Sequence, residues 1–112
     1  MTNHLITREE LRAAIFQGDV VVVEALGPRY YEDAHLPGAI NIPHTEVGRL
    51  APELLPDKDA AIVTYCSNTA CPNSAAAAAQ LRSLGYTNVR KYAEGKDDWR
   101  EAGLPLESAV SA

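Results

Sequence analysis

The alternation of short β-branched runs with helix-forming segments constrains the fold more than any other feature of the sequence. Residues 20–23 are four consecutive valines, a run too short and too uniform for a surface helix, and they predict a buried parallel strand. Residues 61–65 predict another strand, and 39–42 and 89–92 predict two more. Because helical segments separate these strands, we expect an α/β fold with a mostly parallel sheet flanked by helices on both faces.

Signals for helix starts and ends place five helices around these strands. Thr7 and Glu10 have the spacing of a capping box ahead of an amphipathic helix. Ser74 is predicted to cap a helix over 75–84 that Gly85 terminates. The three other predicted helices are shorter and cover 29–34, 45–50 with Thr45 as the cap, and 96–102.

Chain length and the composition of the termini define the expected domain. A chain of 112 residues lies in the usual size range of one domain, so we expect a single domain over 1–112, with a core at 5–107 and a frayed tail at 108–112. No apolar stretch approaches the roughly 20 residues that a membrane-spanning helix needs, so no membrane association is expected. The N-terminus shows no basic segment followed by an apolar one, so no secretory signal is visible and a cytoplasmic location is expected.

Charge and cysteine content argue against several function classes. The formal net charge is −5 and the ten basic residues are scattered among fifteen acidic ones, which argues against a nucleic-acid-binding surface. The two cysteines, Cys66 and Cys71, are fewer than a disulfide-stapled secreted scaffold carries. A zinc site needs about four ligands, and the three histidines are not spaced as partners for this pair. We therefore expect no metal and no cofactor, and the cysteine pair is catalytic, redox-active or structural.

Cys66 directly follows the predicted strand 61–65, and this position makes it the candidate nucleophile. In parallel sheets the reactive crevice lies beyond the carboxyl ends of the strands. A strand–loop–helix unit also leaves the first N–H groups of the helix unpaired, and these groups bind anions and lower a thiol pKa from about 8.5. The unit thus predicts a thiolate beside an anion pocket, which serves sulfur and phosphoryl transfer alike. The predicted anion-binding loop consists of Ser67, Asn68, Thr69, Ala70, Cys71, Pro72 and Asn73.

Three segments resemble, in the same order, the signatures of rhodanese-like domains, the single-domain sulfurtransferase family. Residues 31–43 contain a His-Leu-Pro-Gly-Ala core similar to the upstream signature, 63–66 resemble the strand before the active cysteine, and 95–105 are similar to the C-terminal signature. The resemblance implies a sheet of about five strands flanked by helices. It also implies that Cys66 accepts sulfur from a small donor as a persulfide and passes it to a thiol or protein acceptor, with the backbone of 67–73 as the cradle.

The loop after Cys66 departs from the family pattern in composition and length. Thiosulfate-using members commonly carry arginine there, whereas residues 66–73 contain no Arg or Lys. Since a hydrogen bond to a charged group contributes about 1.5–3 kcal/mol, efficient use of the thiosulfate dianion is not expected. The loop is also longer than the common form and resembles in length that of the cell-cycle dual-specificity phosphatases and arsenate reductases. Those enzymes need an arginine as well, so the phosphatase alternative is disfavoured.

Cys71 has two interpretations that the sequence leaves open. It is either a resolving thiol that attacks a persulfide or sulfenate on Cys66, or a small buried residue that fills the space behind the loop. The first interpretation supports an alternative function, a non-enzymatic rhodanese-like module that senses redox state or binds a protein through the Cys66/Cys71 pair. The sequence does not indicate the oligomeric state.

Several further residues are assigned from their context. Glu24 takes the place of an aspartate that belongs to an Asp–Arg network in many relatives, and Arg29 is a candidate partner for it. His35 is expected to be structural, with its ring hydrogen-bonded to backbone in a turn, and Tyr92 and Trp99 are expected to pack in the core. Two acidic residues are expected to be solvated charges in the first turn of a helix, Asp97 and Asp98.

Overall fold

The alternation expected from the sequence is present in the computed structural model, which describes residues 4–108 of the chain. Helices and strands follow one another with short connections, and the four strands occur at the four predicted places. In chain order the elements are α1 (Arg8–Gln17), β1 (Val21–Glu24), α2 (Pro28–Asp33), β2 (Ile40–Asn41), a 3₁₀ turn (His44–Glu46), α3 (Val47–Leu54), β3 (Ile62–Tyr65), α4 (Asn73–Ser83), β4 (Val89–Tyr92) and α5 (Gly95–Glu101).

The strands form one parallel sheet in the order β2-β1-β3-β4. This confirms the predicted α/β architecture, with four strands where about five were expected. Beside β4, Leu5 forms an isolated parallel bridge with Lys91, and the N–H of Ile6 donates to the carbonyl of Lys91 at 3.1 Å. The fifth position of the sheet is therefore occupied by a single bridge and not by a full strand.

Apolar side chains leave both faces of the sheet, because successive residues of a strand point to opposite sides. In β1, Val23 packs with the cluster under α3 and α4, and Val22 packs with the cluster that includes Leu11 of α1 and Trp99 of α5. A strand covered on both sides has no solvated face, which explains why the valine run carries no alternating polar residues.

The start of α1 agrees with the sequence prediction. The N–H of Glu10 donates to Oγ1 of Thr7 at 3.1 Å, and the N–H of Thr7 donates to Oε1 of Glu10 at 2.9 Å. The bond from the Thr7 N–H lowers the pKa of the Glu10 carboxyl, and the side chain of Thr7 lowers it further. The two bonds form the predicted capping box and satisfy two N–H groups that the first helical turn leaves free.

Two other predicted helix caps are wrong. Thr45 lies inside the 3₁₀ turn, and α3 follows it without a side-chain cap. Pro72 occupies the cap position of α4, so Ser74 lies in the first helical turn with its side chain buried. The hydroxyl of Ser74 is directed at Cys66 and therefore serves the loop instead of the helix end.

The C-terminal segment is held more firmly than expected. Glu107 forms an antiparallel bridge with His35, with N–H to carbonyl distances of 2.9 and 2.8 Å in the two directions. Oγ of Ser108, which was predicted to belong to a frayed tail, donates to the carbonyl of Glu32 at 3.0 Å. The prediction weighed side-chain bulk and not hydrogen bonding, which accounts for the difference at Ser108; the rest of the predicted tail, 109–112, lies outside the described residues. No helix within residues 4–108 is long and apolar enough to cross a membrane.

Candidate functional site

The end of β3 places Cys66 at the carboxyl edge of the sheet, between the ends of β1 and β4. Its side chain is buried, with 1% of its surface exposed. The thiol Sγ lies 3.4 Å from the carbonyl oxygen of Cys71, to which it donates, and 3.5 Å from Oγ of Ser74. The thiol is therefore enclosed by the loop at 67–72 and the first turn of α4.

A buried hydrogen bond fixes the first turn of α4 beside this thiol. Oγ1 of Thr64 in β3 donates to the carbonyl of Ser74 at 2.9 Å, and both residues are buried. Since side chains alternate along a strand, Thr64 and Cys66 face the same side of the sheet. The hydroxyl of Thr64 thus brings Ser74 to the thiol of Cys66.

On the other side of the loop, the first turn of α5 holds two carbonyl groups. The N–H of Lys96 donates to the carbonyl of Cys66 at 2.8 Å, and the N–H of Asp97 donates to the carbonyl of Ser67 at 2.8 Å. Gly95 precedes them with φ +73°, and a Cβ at this position would lie 2.6 Å from the carbonyl oxygen of Cys66. The close approach of helix and loop therefore requires glycine.

The two hydrogen bonds from α5 determine where the N–H groups of the loop point. In a trans peptide the C=O and N–H directions are opposite, so the N–H groups of Ser67 and Asn68 are directed away from α5. Within residues 4–108 they have no hydrogen-bond acceptor, and the same holds for the N–H groups of Thr69, Asn73, Ser74 and Ala75. Together these groups form an array of free donors that suits an anion.

The electrostatics of the thiol differ from the sequence prediction. Burial raises the pKa of the Cys66 thiol, and the neighbouring side chain of Cys71 raises that pKa further. The hydroxyl of Ser74 acts in the opposite direction and lowers it. The predicted lowering is therefore wrong for this state, because removing the thiolate from water outweighs the donors around it.

Glu24 is fully buried, and its partner is Lys96 and not the suggested Arg29. Nζ of Lys96 lies 3.0 Å from Oε1 of Glu24, and the same oxygen accepts from the hydroxyl of Tyr65 at 2.7 Å. Nζ of Lys96 also donates to the carbonyl of Tyr30 at 3.0 Å. The sequence analysis did not identify Lys96. The signal that was available is Glu24 itself, because a carboxylate in a buried apolar strand needs a cation as its partner. The sequence does not indicate which cation that is.

The matched family model, a rhodanese-like domain, covers residues 7–102. It spans most of the chain and includes β3, the loop after Cys66 and the first turn of α5, which together surround Cys66. The chain belongs to the rhodanese-like domain family. This confirms the resemblance found in the sequence motifs.

Curated relatives of this rhodanese-like domain differ in what their names state. The HTH-type transcriptional regulator Rv0324 of Mycobacterium tuberculosis is 37% identical over 105 residues, which cover 94% of this chain and 45% of the regulator. The thiosulfate sulfurtransferase PspE of Escherichia coli is 37% identical over 70 residues, covering 62% of this chain and 65% of PspE. The chain thus spans less than two thirds of the length of either relative.

Solved structures agree with the rhodanese-like fold. The BH2092 protein from Bacillus halodurans superposes with a TM-score of 0.87 at 27% identity, covering 96% of this chain and 78% of that one. A structure described as rhodanese with anions from E. coli has a TM-score of 0.65 at 29% identity, covering 80% of this chain and 98% of that one.

In this rhodanese-like domain the predicted loop residues divide into two groups. Cys71 is half-buried and lines the thiol through its carbonyl, and both cysteines are free thiols. The side chain of Asn68 braces the loop instead of facing the cradle: Nδ2 donates to Asp97 at 3.2 Å, and Oδ1 accepts from the N–H of Ala70 at 3.0 Å. The remaining predicted loop residues lie at the rim with half-buried or exposed side chains, namely Ser67, Thr69, Ala70, Pro72 and Asn73.

The structural assignment of His35 is confirmed. Its Nδ1 lies 2.7 Å from the carbonyl of Tyr31, and the two rings stack with centroids 3.9 Å apart. Nε2 lies 3.7 Å from Glu107. His35 therefore ties α2 to the C-terminal segment of the rhodanese-like domain.

The assignment of Asp98 as a solvated charge is wrong. Nη1 of Arg8 donates to its two carboxylate oxygens at 3.0 and 3.1 Å, and the hydroxyl of Tyr92 donates to Oδ2 at 2.5 Å.

Tyr92 and Trp99 are buried, as predicted. Within residues 4–108, no group of three or more His, Cys, Asp or Glu side chains is arranged to hold a metal ion.

Proposed function

We propose that this rhodanese-like domain is a sulfurtransferase that carries a sulfane sulfur on Cys66. The observation that carries the proposal is the burial of the Cys66 thiol at the start of a loop whose N–H groups at 67–69 have no acceptor in the described part of the chain. Such an array favours the anion that a persulfide carries over the neutral thiol of the resting state. PspE, one of the relatives, is named as a sulfurtransferase.

The proposed reaction has two displacements. In the first, the Cys66 thiolate attacks the terminal sulfur of a donor persulfide, the donor sulfur–sulfur bond breaks, and the donor leaves as a thiolate. In the second, an acceptor thiolate attacks the outer sulfur of the Cys66 persulfide and Cys66 leaves as the thiolate. Each step breaks one sulfur–sulfur bond and forms another, so no external oxidant or reductant takes part.

The charge of the loop favours a donor with little charge. Residues 66–73 contain no Lys or Arg, so backbone N–H groups and neutral side chains face the donor. A missing charged hydrogen bond is worth about 1.5–3 kcal/mol, which corresponds to roughly 10- to 150-fold in rate or affinity. We therefore propose organic persulfides or polysulfides as donors in preference to thiosulfate, and a thiol or protein as acceptor.

Intact-mass measurement after exposure to separate sulfur donors tests the proposal. The wild-type protein is expected to gain the mass of one sulfur atom from a persulfide or polysulfide, and an added thiol is expected to remove it. Cys66→Ser is expected to gain none, whereas Cys71→Ser keeps the nucleophile. A wild-type protein that gains no sulfur from any of the donors would contradict the proposal.

A second candidate function is a redox-sensing module, and the position of Cys71 favours it. Both thiols are free and belong to one loop, and the Cys71 carbonyl lies 3.4 Å from Sγ of Cys66. With hydrogen peroxide as oxidant, the Cys66 thiolate attacks one peroxide oxygen and the O–O bond breaks, which gives a sulfenic acid and a hydroxide that takes up a proton to become water. The Cys71 thiol then attacks this sulfur and a second water leaves with formation of the disulfide. One relative is named as a transcriptional regulator.

Alkylation after peroxide treatment tests this second candidate. Two alkylatable thiols after treatment with mild peroxide would exclude a Cys66–Cys71 disulfide. A mass loss of two hydrogens that a reductant reverses and that Cys71→Ser abolishes would support it. Sulfur gain and disulfide formation are separate masses, so one experiment distinguishes the two functions.

A further inference from the structure

The buried ion pair of Glu24 and Lys96 adjoins the chain on both sides of the Cys66 peptide. Oε1 of Glu24 accepts from the hydroxyl of Tyr65, the residue that precedes Cys66. Lys96 pairs with the same carboxylate oxygen at 3.0 Å through Nζ, while its main-chain N–H donates to the carbonyl of Cys66 at 2.8 Å. One carboxylate therefore connects the end of β3 to the helix turn that holds the Cys66 carbonyl.

We propose that Glu24 and Lys96 are positioning residues for the Cys66 loop. Their ion pair keeps the first turn of α5 against the carbonyls of Cys66 and Ser67, and the planarity of the peptide then directs the N–H groups of Ser67 and Asn68 toward the anion. The inference rests on the proposed function, because the anion that these N–H groups would bind is the sulfur anion of the proposed sulfur transfer. Its test measures the thiol itself and needs no sulfur donor.

Stability alone is a poor explanation for this pair. Each buried ion loses the hydration that water would provide, and well-packed apolar side chains in the same place are often as stable or more so. The pair is also incompletely satisfied, because Oε2 of Glu24 has no hydrogen-bond partner among the described residues. Lys96 additionally donates to the carbonyl of Tyr30, so the charges link β1, α2 and α5 in a fixed geometry.

The pair acts through the backbone and not directly on the thiol. Cys66 faces α4, where its thiol contacts Ser74, whereas the preceding Tyr65 faces the opposite side and packs with the cluster of α1 and α5. Glu24 accepts from the hydroxyl of Tyr65 and pairs with Lys96, so the ion pair lies on that opposite side. The titratable group that acts on the Cys66 thiol from its own side is Cys71.

The test is the pH dependence of Cys66 alkylation by iodoacetamide, resolved from Cys71 by peptide mass spectrometry. It uses Lys96→Met, Glu24→Gln and the double variant. If the pair acts on the thiol only through its charges, Lys96→Met raises the midpoint pH of alkylation and Glu24→Gln lowers it. The two effects then cancel in the double variant. Loss of positioning raises the midpoint in all three, and a midpoint that is one pH unit higher makes alkylation about tenfold slower below the midpoint. We expect the second pattern.

Two matched variants separate positioning from general damage. Lys96→Arg keeps the cation and its donors, so its midpoint is expected to equal that of the wild type. Lys58→Met removes a cation that binds the Leu84 carbonyl away from the loop, and it is expected to leave the midpoint unchanged. Circular dichroism establishes that each variant is folded.

Should either single variant fail to fold, the double variant and Tyr65→Phe provide the test, because neither leaves a buried charge without its counter-charge. An unchanged midpoint in both, or midpoints that move in opposite directions in the single variants, would overturn the inference. Failure of the proposed function has a different readout. In that case the wild-type protein gains no sulfur from any donor, whatever the alkylation midpoints of the variants are.

Discussion

The peptide groups around Cys66 have two sides that the fold treats differently. On the carbonyl side, α5 donates two hydrogen bonds at 2.8 Å to the carbonyls of Cys66 and Ser67. The buried ion pair of Lys96 and Glu24 connects this turn of α5 to β1. On the N–H side, the groups of Ser67, Asn68 and Thr69 have no acceptor within residues 4–108. The carbonyl side is held by these bonds, and the free donors of Ser67 and Asn68 lie on the side of the peptide groups that is directed away from α5.

This difference shows how a loop without a single cation is suited to hold an anion. Free backbone donors bind an anion well only if they are already oriented, since otherwise the cost of ordering them cancels the gain. In this domain the carbonyl side provides the order and the N–H side provides the donors. Substitutions that change one side at a time therefore test the comparison.

The largest effect is expected from Gly95→Ala, which breaks the carbonyl side. The new Cβ would lie 2.6 Å from the carbonyl oxygen of Cys66, at φ +73°. Left-handed strain and overpacking together are expected to lower the free energy of unfolding by about 2–5 kcal/mol, with loss of sulfur transfer. Urea unfolding and the intact-mass assay measure both.

Gly103→Ala is the control for this prediction. Gly103 has φ +77°, and a Cβ there would have no neighbour within 4 Å, so only the strain of about 1–2 kcal/mol is expected, with sulfur transfer retained. Equal losses in the two variants would show that the contact with Cys66 contributes nothing.

The second prediction concerns stability at alkaline pH. Burial raises the pKa of the Cys66 thiol, so the folded state keeps a proton that the unfolded chain loses above about pH 8.5. The stabilisation is complete below that pH and declines as pH rises toward the folded pKa, by at most about 1.4 kcal/mol per pH unit. Urea unfolding of the wild type and Cys66→Ala between pH 7.5 and 9.5 measures it, and a constant difference between the two would contradict the prediction.

The third prediction concerns the N–H side, where Ser74→Ala removes the hydroxyl next to the thiol. The Ser74 hydroxyl lowers the pKa of Cys66, so the alkylation midpoint is expected to move upward. Losing one hydrogen bond of about 0.5–1 kcal/mol makes alkylation about two- to fivefold slower at neutral pH. Ser83→Ala, an exposed serine on the same helix, is the control and is expected to leave the rate unchanged.

The smallest effect is expected from Asn68→Ala at the rim of the loop. The side chain of Asn68 is exposed and bridges Asp97 and Ala70 with bonds of 3.2 and 3.0 Å. Its loss is expected to change the free energy of unfolding by less than about 0.5 kcal/mol and the transfer rate by less than about twofold. A loss similar to that of Gly95→Ala would mean that the rim, and not α5, sets the loop geometry.

The features that the sequence predicted correctly depend on local signals. The capping box of Thr7 and Glu10, the buried valine strand and the position of Cys66 at a strand end each involve a few neighbouring residues. Helix and strand periodicity and the chemistry of helix starts operate over the same short range. For that reason the order of elements and the candidate nucleophile were visible without a structure.

Two of the errors come from contacts between distant parts of the chain. Asp98 was assigned to solvent, yet it binds Arg8, which is 90 residues away in the sequence. Ser74 was assigned to a helix end because serine is a common cap, whereas the packing of α4 on β3 turns it toward the thiol. No local pattern contains the distance between such residues, so composition and spacing could not identify the pairs.

The sequence by itself determined the alternating architecture, the resemblance to rhodanese-like domains and the candidate nucleophile at the end of β3, because these follow from periodicity and motif order. The tertiary structure decided the protonation state of that candidate. Burial of Cys66 opposes its ionisation, and the packing of α5 against the loop orients the donors that would stabilise its anion. Both effects come from segments that meet only when the sheet has formed.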